Sequence, residues 1–308
     1  MKDPHKNLHA AKSAKADEFY TRLSDIRKEL AHYTDHFRNK VVYCNCDDPE
    51  VSSFFEYFVS NFEVLGLKRL IASCYKPSNG PLFYTKEEDQ ATYAIYEGGE
   101  IEVLYLEGDG DFRSEESIEI LQQADIVVTN PPFSLFRRYM AQLIRYKKQF
   151  LIVGSMNAIT YKETFKLIKG GKLWQGVNAL KLFKVPQGYE PRASDVVIEG
   201  QRFASFGNIL WFTNMEHSKR REEIPLTKTY NEEEYPTYDN YNAIEVSRVA
   251  DIPCDHFGPM GVPITFLDKW NPNQFDVVKF RKGDDGKDLS VDGKYPYFRI
   301  LIRRKNSL

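Results

Sequence analysis

The sequence is poor in the residues that build metal sites and disulfide frameworks. Its 308 residues contain four cysteines and six histidines, without a CxxC pair or an HExxH motif. Zinc sites and disulfide-rich folds depend on such residues at set spacings. We therefore expect no metal site, and we interpret Cys44, Cys46, Cys74 and Cys254 as small buried thiols.

Long apolar runs are also missing. A helix that crosses a bilayer needs about 20 consecutive apolar residues, and no segment of this chain approaches that length. The first 15 residues are polar and contain several lysines, without the apolar stretch of a secretion signal. We therefore expect a soluble, cytoplasmic protein with no part in a membrane.

The chain has no large excess of charge of one sign, since its formal net charge is −2. This excludes a strong attraction of the whole molecule to nucleic acid. Two local basic clusters are present: Arg137, Arg138, Arg145, Lys147 and Lys148, and Arg299, Arg303, Arg304 and Lys305. Each cluster is either a solvated surface or a contact for a polyanion, and the sequence leaves both open.

The first half of the chain alternates between helix and strand patterns. Apolar residues recur every three or four positions over residues 19–33 and 51–65, which predicts two amphipathic helices. Short apolar runs predict strands at residues 41–45, 68–74, 101–106, 125–129 and 150–154. This alternation predicts an α/β fold with a doubly wound, mainly parallel sheet.

Helix ends are predicted from residues that cap the unpaired backbone amides at a helix start, that suit the first helical position, or that end a helix. Asp48 stands before Pro49, a residue suited to the first helical position, and Ser114 and Ser134 precede two further predicted helices. Gly66 is expected to end the helix of residues 51–65.

The second half lacks this regular alternation. Its β-prone segments lie at residues 179–185, 194–199, 209–213 and 298–302, separated by polar stretches. We expect part of it to complete the sheet and the remainder to form a loop-rich region. The predicted boundary divides the chain into residues 1–160 and 161–308.

A tetrapeptide, Asn130-Pro131-Pro132-Phe133, directly follows the predicted strand at residues 125–129. The Asn130 side-chain oxygen and the Pro131 carbonyl are two acceptors suited to the two N–H bonds of a planar amino group, such as that of adenine. Consecutive prolines fix the backbone and remove donors that would compete with the substrate. Phe133 offers a ring on which an extruded base can stack.

Asn-Pro-Pro alone is typical of a turn at the end of a strand. Its position after a buried strand in an α/β series favours a catalytic role. Ligands of such sheets bind beyond the carboxyl ends of the strands, so the loops after Asn45, Cys74, Leu106 and Thr129 are expected to share one crevice.

Two of these loops are candidates for binding a cofactor. Asn45, Cys46, Asp47 and Asp48 lie at a predicted helix start, which suits a carboxylate, and their acidic groups suit an ammonium. In the other loop, Asp111 can accept from an adenine amino group and Phe112 can pack on its ring. A flexible acidic turn remains the alternative for the second loop, while Ile120 stands where a calcium loop needs glutamate.

Four segments together give the chain its resemblance to a known family. They are Asp17 to Thr21 (DEFYT), Cys44 to Pro49 (CNCDDP), Asn130 to Phe133, and Gly261 to Lys269 (GVPITFLDK). With these segments the chain resembles the EcoRI-type family of adenine-specific DNA methyltransferases. The tetrapeptide is shared by many amino-methyltransferases, so the other segments specify the family.

The resemblance implies transfer of a methyl group from S-adenosylmethionine to N6 of a flipped-out adenine in double-stranded DNA. It implies a class I methyltransferase (Rossmann-like) sheet and, as a partner, a cognate restriction endonuclease that acts on the same site. Tyr20 and Thr21 match residues that contact the methionine part of the cofactor in similar enzymes. Residues 1–160 would form the cofactor-binding catalytic domain with an N-terminal cofactor helix. Residues 161–308 would complete the sheet and recognise the DNA target.

The chain departs from the usual class I pattern at two places. No glycine lies between Cys44 and Pro49, and the second predicted strand ends in Ser73-Cys74-Tyr75 instead of an acidic residue that binds ribose. Two alternatives stay open. One is a methyltransferase of RNA adenine or of a protein glutamine amide, because the same acceptors suit any planar amino group. The other is an inactive nucleic-acid-binding module.

Overall fold

The computed structural model describes residues 19–76, 91–185 and 189–306. Asp17 and Glu18, which belong to the first segment of the family resemblance, lie outside these residues. The helices are α1 (Leu23–Leu30), α2 (Ser53–Ser60), α3 (Phe62–Leu65), α4 (Glu115–Gln123), α5 (Phe136–Arg145) and α6 (Lys162–Lys169). No helix among the described residues is long and apolar enough to cross a membrane.

The strands of the first half are β1 (Tyr20–Thr21), β2 (Val41–Cys44), β3 (Arg69–Ser73), β4 (Thr92–Tyr96), β5 (Ile101–Tyr105), β6 (Ile126–Thr129) and β7 (Gln149–Ser155). Those of the second half are β8 (Trp174–Gln175), β9 (Leu180–Lys184), β10 (Val196–Ile198), β11 (Gln201–Thr213), β12 (Thr237–Tyr238), β13 (Tyr241–Glu245), β14 (Pro259–Pro263), β15 (Phe275–Phe280) and β16 (Arg299–Arg304).

The chain folds into two compact units. The first consists of Met1–Ala158 and Asn178–Met215, and the second of Ile159–Val177 and Glu216–Leu308. The segment Asn178–Met215 contains β9, β10 and β11, which join the sheet of the first unit.

The first unit is built on a large mixed sheet with the order β1-β9-β11-β7-β6-β2-β3-β4-β5. The four strands β7, β6, β2 and β3 run parallel, whereas the strands on both sides pair antiparallel. The prediction of an α/β fold is confirmed, but the prediction of a mainly parallel sheet is wrong. One reason is that β4 and β5 are joined directly by residues 97–100. A connection this short joins antiparallel strands, because a parallel pair needs a long crossover.

The centre of the sheet is apolar on both faces. Every residue of β2 and of β6 is buried, as expected for parallel strands covered by helices. Ile26 and Leu30 of α1 and Phe54 and Phe58 of α2 belong to the core that packs against these strands. The apolar stripes in the sequence therefore mark the faces by which the helices bind the sheet.

The first amphipathic helix is shorter than its stripe predicts. It begins at Leu23, because Tyr20 and Thr21 form strand β1, which pairs antiparallel with Lys184 and Phe183 of β9. The apolar spacing continues through both elements, so periodicity alone could not separate them.

Helix α2 begins later than predicted, because its cap is Ser52 and not Asp48. The Ser52 hydroxyl accepts from the backbone amides of Phe54 and Phe55 at 3.1 and 3.2 Å. Ser114 caps α4 as predicted, through the amide of Ser117. Ser134 caps no helix, since it lies within a 3-10 turn, Phe133–Leu135, that precedes α5.

The second unit contains a five-stranded sheet with the order β12-β13-β14-β16-β15. Only β13 and β14 pair in parallel among its described strands. The sheet contains a buried ion pair between Arg299 and Glu245 with a nitrogen–oxygen distance of 2.7 Å, and Tyr238 also donates to the Glu245 carboxylate.

Candidate active site

A cavity of about 560 Å³ lies in the first unit. Its volume is typical of sites for cofactors and small molecules, which span roughly 300 to 1,000 Å³. The chain passes from β2 to β3 on one side and returns to β6 on the other side of β2. At such a reversal the loops diverge and leave a crevice at the carboxyl ends of the strands.

The cavity is lined by four loops that follow strands and by the segment that contains β1. Its lining residues are Phe19, Tyr20, Thr21, Asn45, Cys46, Asp47, Asp48, Val51, Ser52, Ser53, Phe54, Cys74, Tyr75, Gly110, Asp111, Phe112, Arg113, Asn130, Pro132, Ser134 and Leu135. The prediction that the loops after β2, β3, β5 and β6 share one crevice is therefore confirmed.

The side-chain amide of Asn130 has a hydrogen-bond partner for its nitrogen but none among the described residues for its oxygen. Its Nδ2 donates to the backbone carbonyl of Phe19 at 2.5 Å. Its Oδ1 is buried and has no hydrogen-bond partner among the described residues. A buried acceptor without a partner is costly. Asn130 thus presents an oxygen that a ligand in the cavity can satisfy.

The other residues of the tetrapeptide differ in exposure. Pro131 is buried, whereas Pro132 is half-buried and lines the cavity. Phe133 is also half-buried, but it packs against the core of the first unit and is not among the lining residues. Its role as a stacking surface for a base therefore stays a prediction.

Asp47 joins three parts of the chain at the end of β2. One carboxylate oxygen accepts from the Ser52 hydroxyl at 2.9 Å, and the other accepts from the Thr129 hydroxyl at the end of β6. Burial raises the pKa of Asp47 to about 6, although these two hydrogen bonds act in the opposite direction. Both oxygens are thus engaged within the protein, next to the cavity.

The neighbours of Asp47 also have partners within the protein. Asn45 is buried, and its Oδ1 accepts from the phenol of Tyr139 in α5. Burial raises the pKa of the Cys46 thiol well above its usual value. Asp48 is half-buried and uses one carboxylate oxygen to accept from the Glu50 amide at 3.0 Å. Of the two acids predicted to face an ammonium group, Asp48 is the less engaged.

The loop after β5 places Asp111 and Phe112 at the cavity. Asp111 accepts from the Arg113 guanidinium and from the Arg113 amide, both at 2.8 Å. These hydrogen bonds lower the pKa of Asp111. Phe112 is buried and packs edge to face on Tyr139, with 5.1 Å between the ring centres.

Tyr20 and Thr21 line the cavity from β1. Thr21 is 3% exposed, and its hydroxyl oxygen is buried without a hydrogen-bond partner among the described residues. Tyr20 is 38% exposed. The Thr21 hydroxyl is thus a second unsatisfied polar atom next to this cavity, besides Asn130 Oδ1.

Several contacts that build the site had no recognisable signal in the sequence. The Phe19 carbonyl, the Thr129 hydroxyl and the Tyr139 phenol hold predicted site residues that are 111, 82 and 94 positions away along the chain. Hydrogen bonds over such separations leave no periodic pattern. Among the described residues, no group of three or more His, Cys, Asp or Glu side chains is arranged to hold a metal ion.

Comparisons with known proteins cover almost the whole chain. The family described as adenine-specific methyltransferase EcoRI matches residues 7–305. Type II methyltransferase M.EcoRI of Escherichia coli is 52% identical over 98% of this chain and 97% of its own length. Type II methyltransferase M.MpnI of Mycoplasma pneumoniae is 39% identical over 98% of this chain and 99% of its own length. No solved structure matches the chain significantly. The extent of these matches shows that the chain belongs to the adenine-specific methyltransferase EcoRI family.

Proposed function

We propose that the protein is a site-specific DNA methyltransferase that transfers a methyl group from S-adenosylmethionine to N6 of adenine. The observation that carries the proposal is the amide of Asn130. Its nitrogen is bonded to the Phe19 carbonyl, so its unpaired, buried oxygen remains to accept a hydrogen bond. The adenine amino group offers two N–H donors, and adenine is the base named by the family description.

The chemistry requires the amino nitrogen to become a better nucleophile. Its lone pair is delocalised into the ring, and two acceptors aimed at its two N–H bonds draw it towards a tetrahedral geometry. In this proposal Asn130 Oδ1 and the Pro131 carbonyl are those acceptors. No strong base is required, because the proton becomes acidic once the nitrogen carries a methyl group.

The residues around the cavity fit S-adenosylmethionine, which supplies an electrophilic methyl group when bound. The buried Thr21 hydroxyl requires a partner, and the Phe112 ring lies at the cavity wall. The residues that would hold the cofactor are Tyr20, Thr21, Asn45, Cys46, Asp47, Asp48, Asp111 and Phe112. Asp48 is suited to the ammonium group because only one contact occupies its carboxylate.

The arrangement of β3, β2, β6 and β7 supports a class I (Rossmann-like) assignment. These strands are parallel, and the antiparallel strand β11 follows β7 in the sheet. The cavity lies where a ligand of an open α/β sheet is expected. We therefore extend the proposal to the class I methyltransferase fold.

Duplex DNA is the proposed substrate because the similar proteins are type II methyltransferases. An adenine within a duplex must leave the base stack before its amino group can reach a cavity of this kind. Phe133 is the proposed stacking surface for the extruded base, and the second unit is the proposed region of target recognition. A cognate endonuclease for the same site is the corresponding proposed partner.

The test is transfer of a labelled methyl group from S-adenosylmethionine to unmethylated duplex DNA, followed by nucleoside analysis. N6-methyladenine is the expected product, and Asn130→Ala should lower turnover by about 100-fold or more while cofactor affinity is kept. Near-wild-type turnover of this variant would refute the assigned role of Asn130.

Parallel reactions test the alternatives. Transfer to RNA or to a protein glutamine amide, with none to duplex DNA, would move the proposal to that substrate. An absence of cofactor binding in calorimetry, together with an absence of transfer, would support the inactive nucleic-acid-binding module.

A further inference from the structure

We propose that the backbone carbonyl of Phe19 selects the orientation of the Asn130 amide and thereby makes Asn130 an acceptor for the substrate. This inference rests on the proposed function for its effect on turnover. Asn130 Nδ2 lies 2.5 Å from the Phe19 oxygen, across 111 residues of sequence. The opposite end of the amide, Oδ1, is the buried atom without a partner.

An asparagine amide has two orientations of similar shape, which differ by exchange of oxygen and nitrogen. In one of them the oxygen faces the substrate and accepts from its amino group. In the other, the Asn130 nitrogen would face that amino group, donor against donor, and the oxygen would face the Phe19 carbonyl, acceptor against acceptor. The Phe19 carbonyl therefore excludes the unproductive orientation.

The Phe19 carbonyl is held by packing on several sides. Phe19 is 6% exposed, and its ring packs edge to face on Phe206 and Tyr189, with ring centres 4.8 and 5.8 Å apart. The Arg192 guanidinium lies 6.0 Å from the centre of the same ring. The next two residues of the chain pair with β9. These contacts fix the backbone at the position where the carbonyl accepts from Asn130.

The substitution Asn130→Asp separates the acceptor role from the orientation role. It keeps an oxygen for the substrate but replaces the donor nitrogen with a second oxygen. When the new carboxyl group is ionised, that oxygen faces the Phe19 carbonyl as acceptor against acceptor. When it is protonated, its O–H donates to Phe19 and its other oxygen still accepts from the substrate. The variant should therefore need a proton that the wild type does not need.

Other ionisable groups face the same region and are identical in the variant and the wild type. The charged and thiol side chains that line the cavity are Asp47, Asp48, Asp111, Arg113, Cys46 and Cys74. The phenols of Tyr20 and Tyr75 also line it, while Arg192 and the Tyr189 phenol pack at the Phe19 ring. Asp47 has a pKa of about 6, so a rate measured for the variant alone would be ambiguous. The ratio of the variant's rate to the wild-type rate removes this shared contribution.

The first measurement is single-turnover methylation of DNA from about pH 5.5 to about pH 8.5, a range in which a buried carboxyl group with a raised pKa titrates. At saturating DNA and cofactor, the ratio of Asn130→Asp to wild type should increase at least tenfold as the pH falls. The ratio of Asn130→Ala to wild type should stay constant and low. An Asn130→Asp ratio that is constant, or that falls with falling pH, would overturn the proposal.

The second measurement is thermal unfolding of the ligand-free proteins over the same pH range, which does not depend on the proposed function. Burial and the Phe19 carbonyl should raise the folded-state pKa of the new carboxyl group above its unfolded value. Its destabilising effect is then absent below the unfolded pKa, grows as the pH rises from the unfolded towards the folded pKa, and is complete above the folded pKa. The unfolding temperature of Asn130→Asp should therefore fall further below that of the wild type as the pH rises, and a constant difference would contradict the inference.

The two measurements distinguish a failure of this inference from a failure of the proposed function. If wild type transfers no methyl group to DNA, the proposed function fails, while the unfolding series still tests the Asn130–Phe19 contact. The inference fails alone if the wild type is active but two quantities do not change with pH. These are the ratio of the Asn130→Asp rate to the wild-type rate and the difference between their unfolding temperatures.

Discussion

Asp47 is a carboxylate that connects β2, β6 and the start of α2 by accepting hydrogen bonds. Its partners are the hydroxyls of Ser52 and Thr129, and the side chain is buried. Burial disfavours the ionised form, which is why the pKa of Asp47 rises to about 6. The protein therefore binds a proton at Asp47 more tightly when folded than when unfolded, so this group should reduce stability as the pH rises.

The substitution Asp47→Asn tests this effect. Asparagine can accept from Ser52 and donate to the Thr129 hydroxyl, which makes it a neutral replacement of nearly the same shape. The wild type should lose stability relative to the variant between about pH 4 and about pH 7, by at most about 3 kcal/mol. Thermal unfolding of both proteins across this range measures the difference. A difference that does not change with pH would mean that Asp47 titrates at its ordinary pKa.

At the scale of single residues, the sequence is informative where a function depends on neighbouring positions. The position of Asn130 at the cavity could be predicted because the tetrapeptide and the apolar strand before it are contiguous. The contacts of Phe19, Thr129 and Tyr139 could not be predicted, because each joins positions that only the folded chain brings together. Asp47 was correctly predicted to lie in the crevice, but its engagement with two hydroxyls was not foreseen.

At the scale of elements, the loop after β5 depends on a particular backbone shape. Gly110 has a φ of +75°, a conformation that side chains with a Cβ rarely adopt. A Cβ at this position would also overlap the Cys74 carbonyl. The close approach of these two loops places the next residues, Asp111 and Phe112, at the cavity.

We expect Gly110→Ala to displace this loop and weaken cofactor binding. Backbone strain of this kind costs about 1–3 kcal/mol, which corresponds to roughly a 5- to 150-fold loss of affinity if binding must restore the native loop. The matched control is Gly108→Ala, where the nearest atom to a new Cβ is 3.9 Å away. Isothermal titration calorimetry with S-adenosylmethionine gives both affinities. Equal affinities for the two variants would show that the loop after β5 does not hold the cofactor.

The existence of each strand was easier to predict than its direction and its pairing partners in the sheet. Short apolar runs in the sequence are sufficient to identify the buried strands β2, β3, β6 and β7. The run at residues 101–106 was also correctly predicted as a strand, but it forms the sheet edge, where Val103 and Tyr105 are 57% and 58% exposed. Strand direction depends on the length and path of each connection, which an apolar pattern does not contain.

At the scale of the whole molecule, the cavity belongs to the first unit alone. All of its lining residues lie between Phe19 and Leu135, and the first unit includes that whole range. The second unit has its own buried polar centre in the pair Arg299–Glu245, whose side chains are 13% and 8% exposed. Loss of this pair should therefore damage the second unit without removing any group that the cavity uses.

The substitution Arg299→Ala should destabilise the second unit by about 3–5 kcal/mol, because it leaves the Glu245 carboxylate buried without its cation. Arg248→Ala is the matched control, since Arg248 is 77% exposed in its pair with Asp251, and an exposed pair of this kind contributes little to stability. Scanning calorimetry should show a lower unfolding temperature only for Arg299→Ala. At a temperature where both variants remain folded, both should bind S-adenosylmethionine with wild-type affinity. On heating, Arg299→Ala should lose methylation of DNA before it loses cofactor binding. A parallel loss of cofactor affinity in Arg299→Ala would mean that the second unit is needed to form the cofactor site.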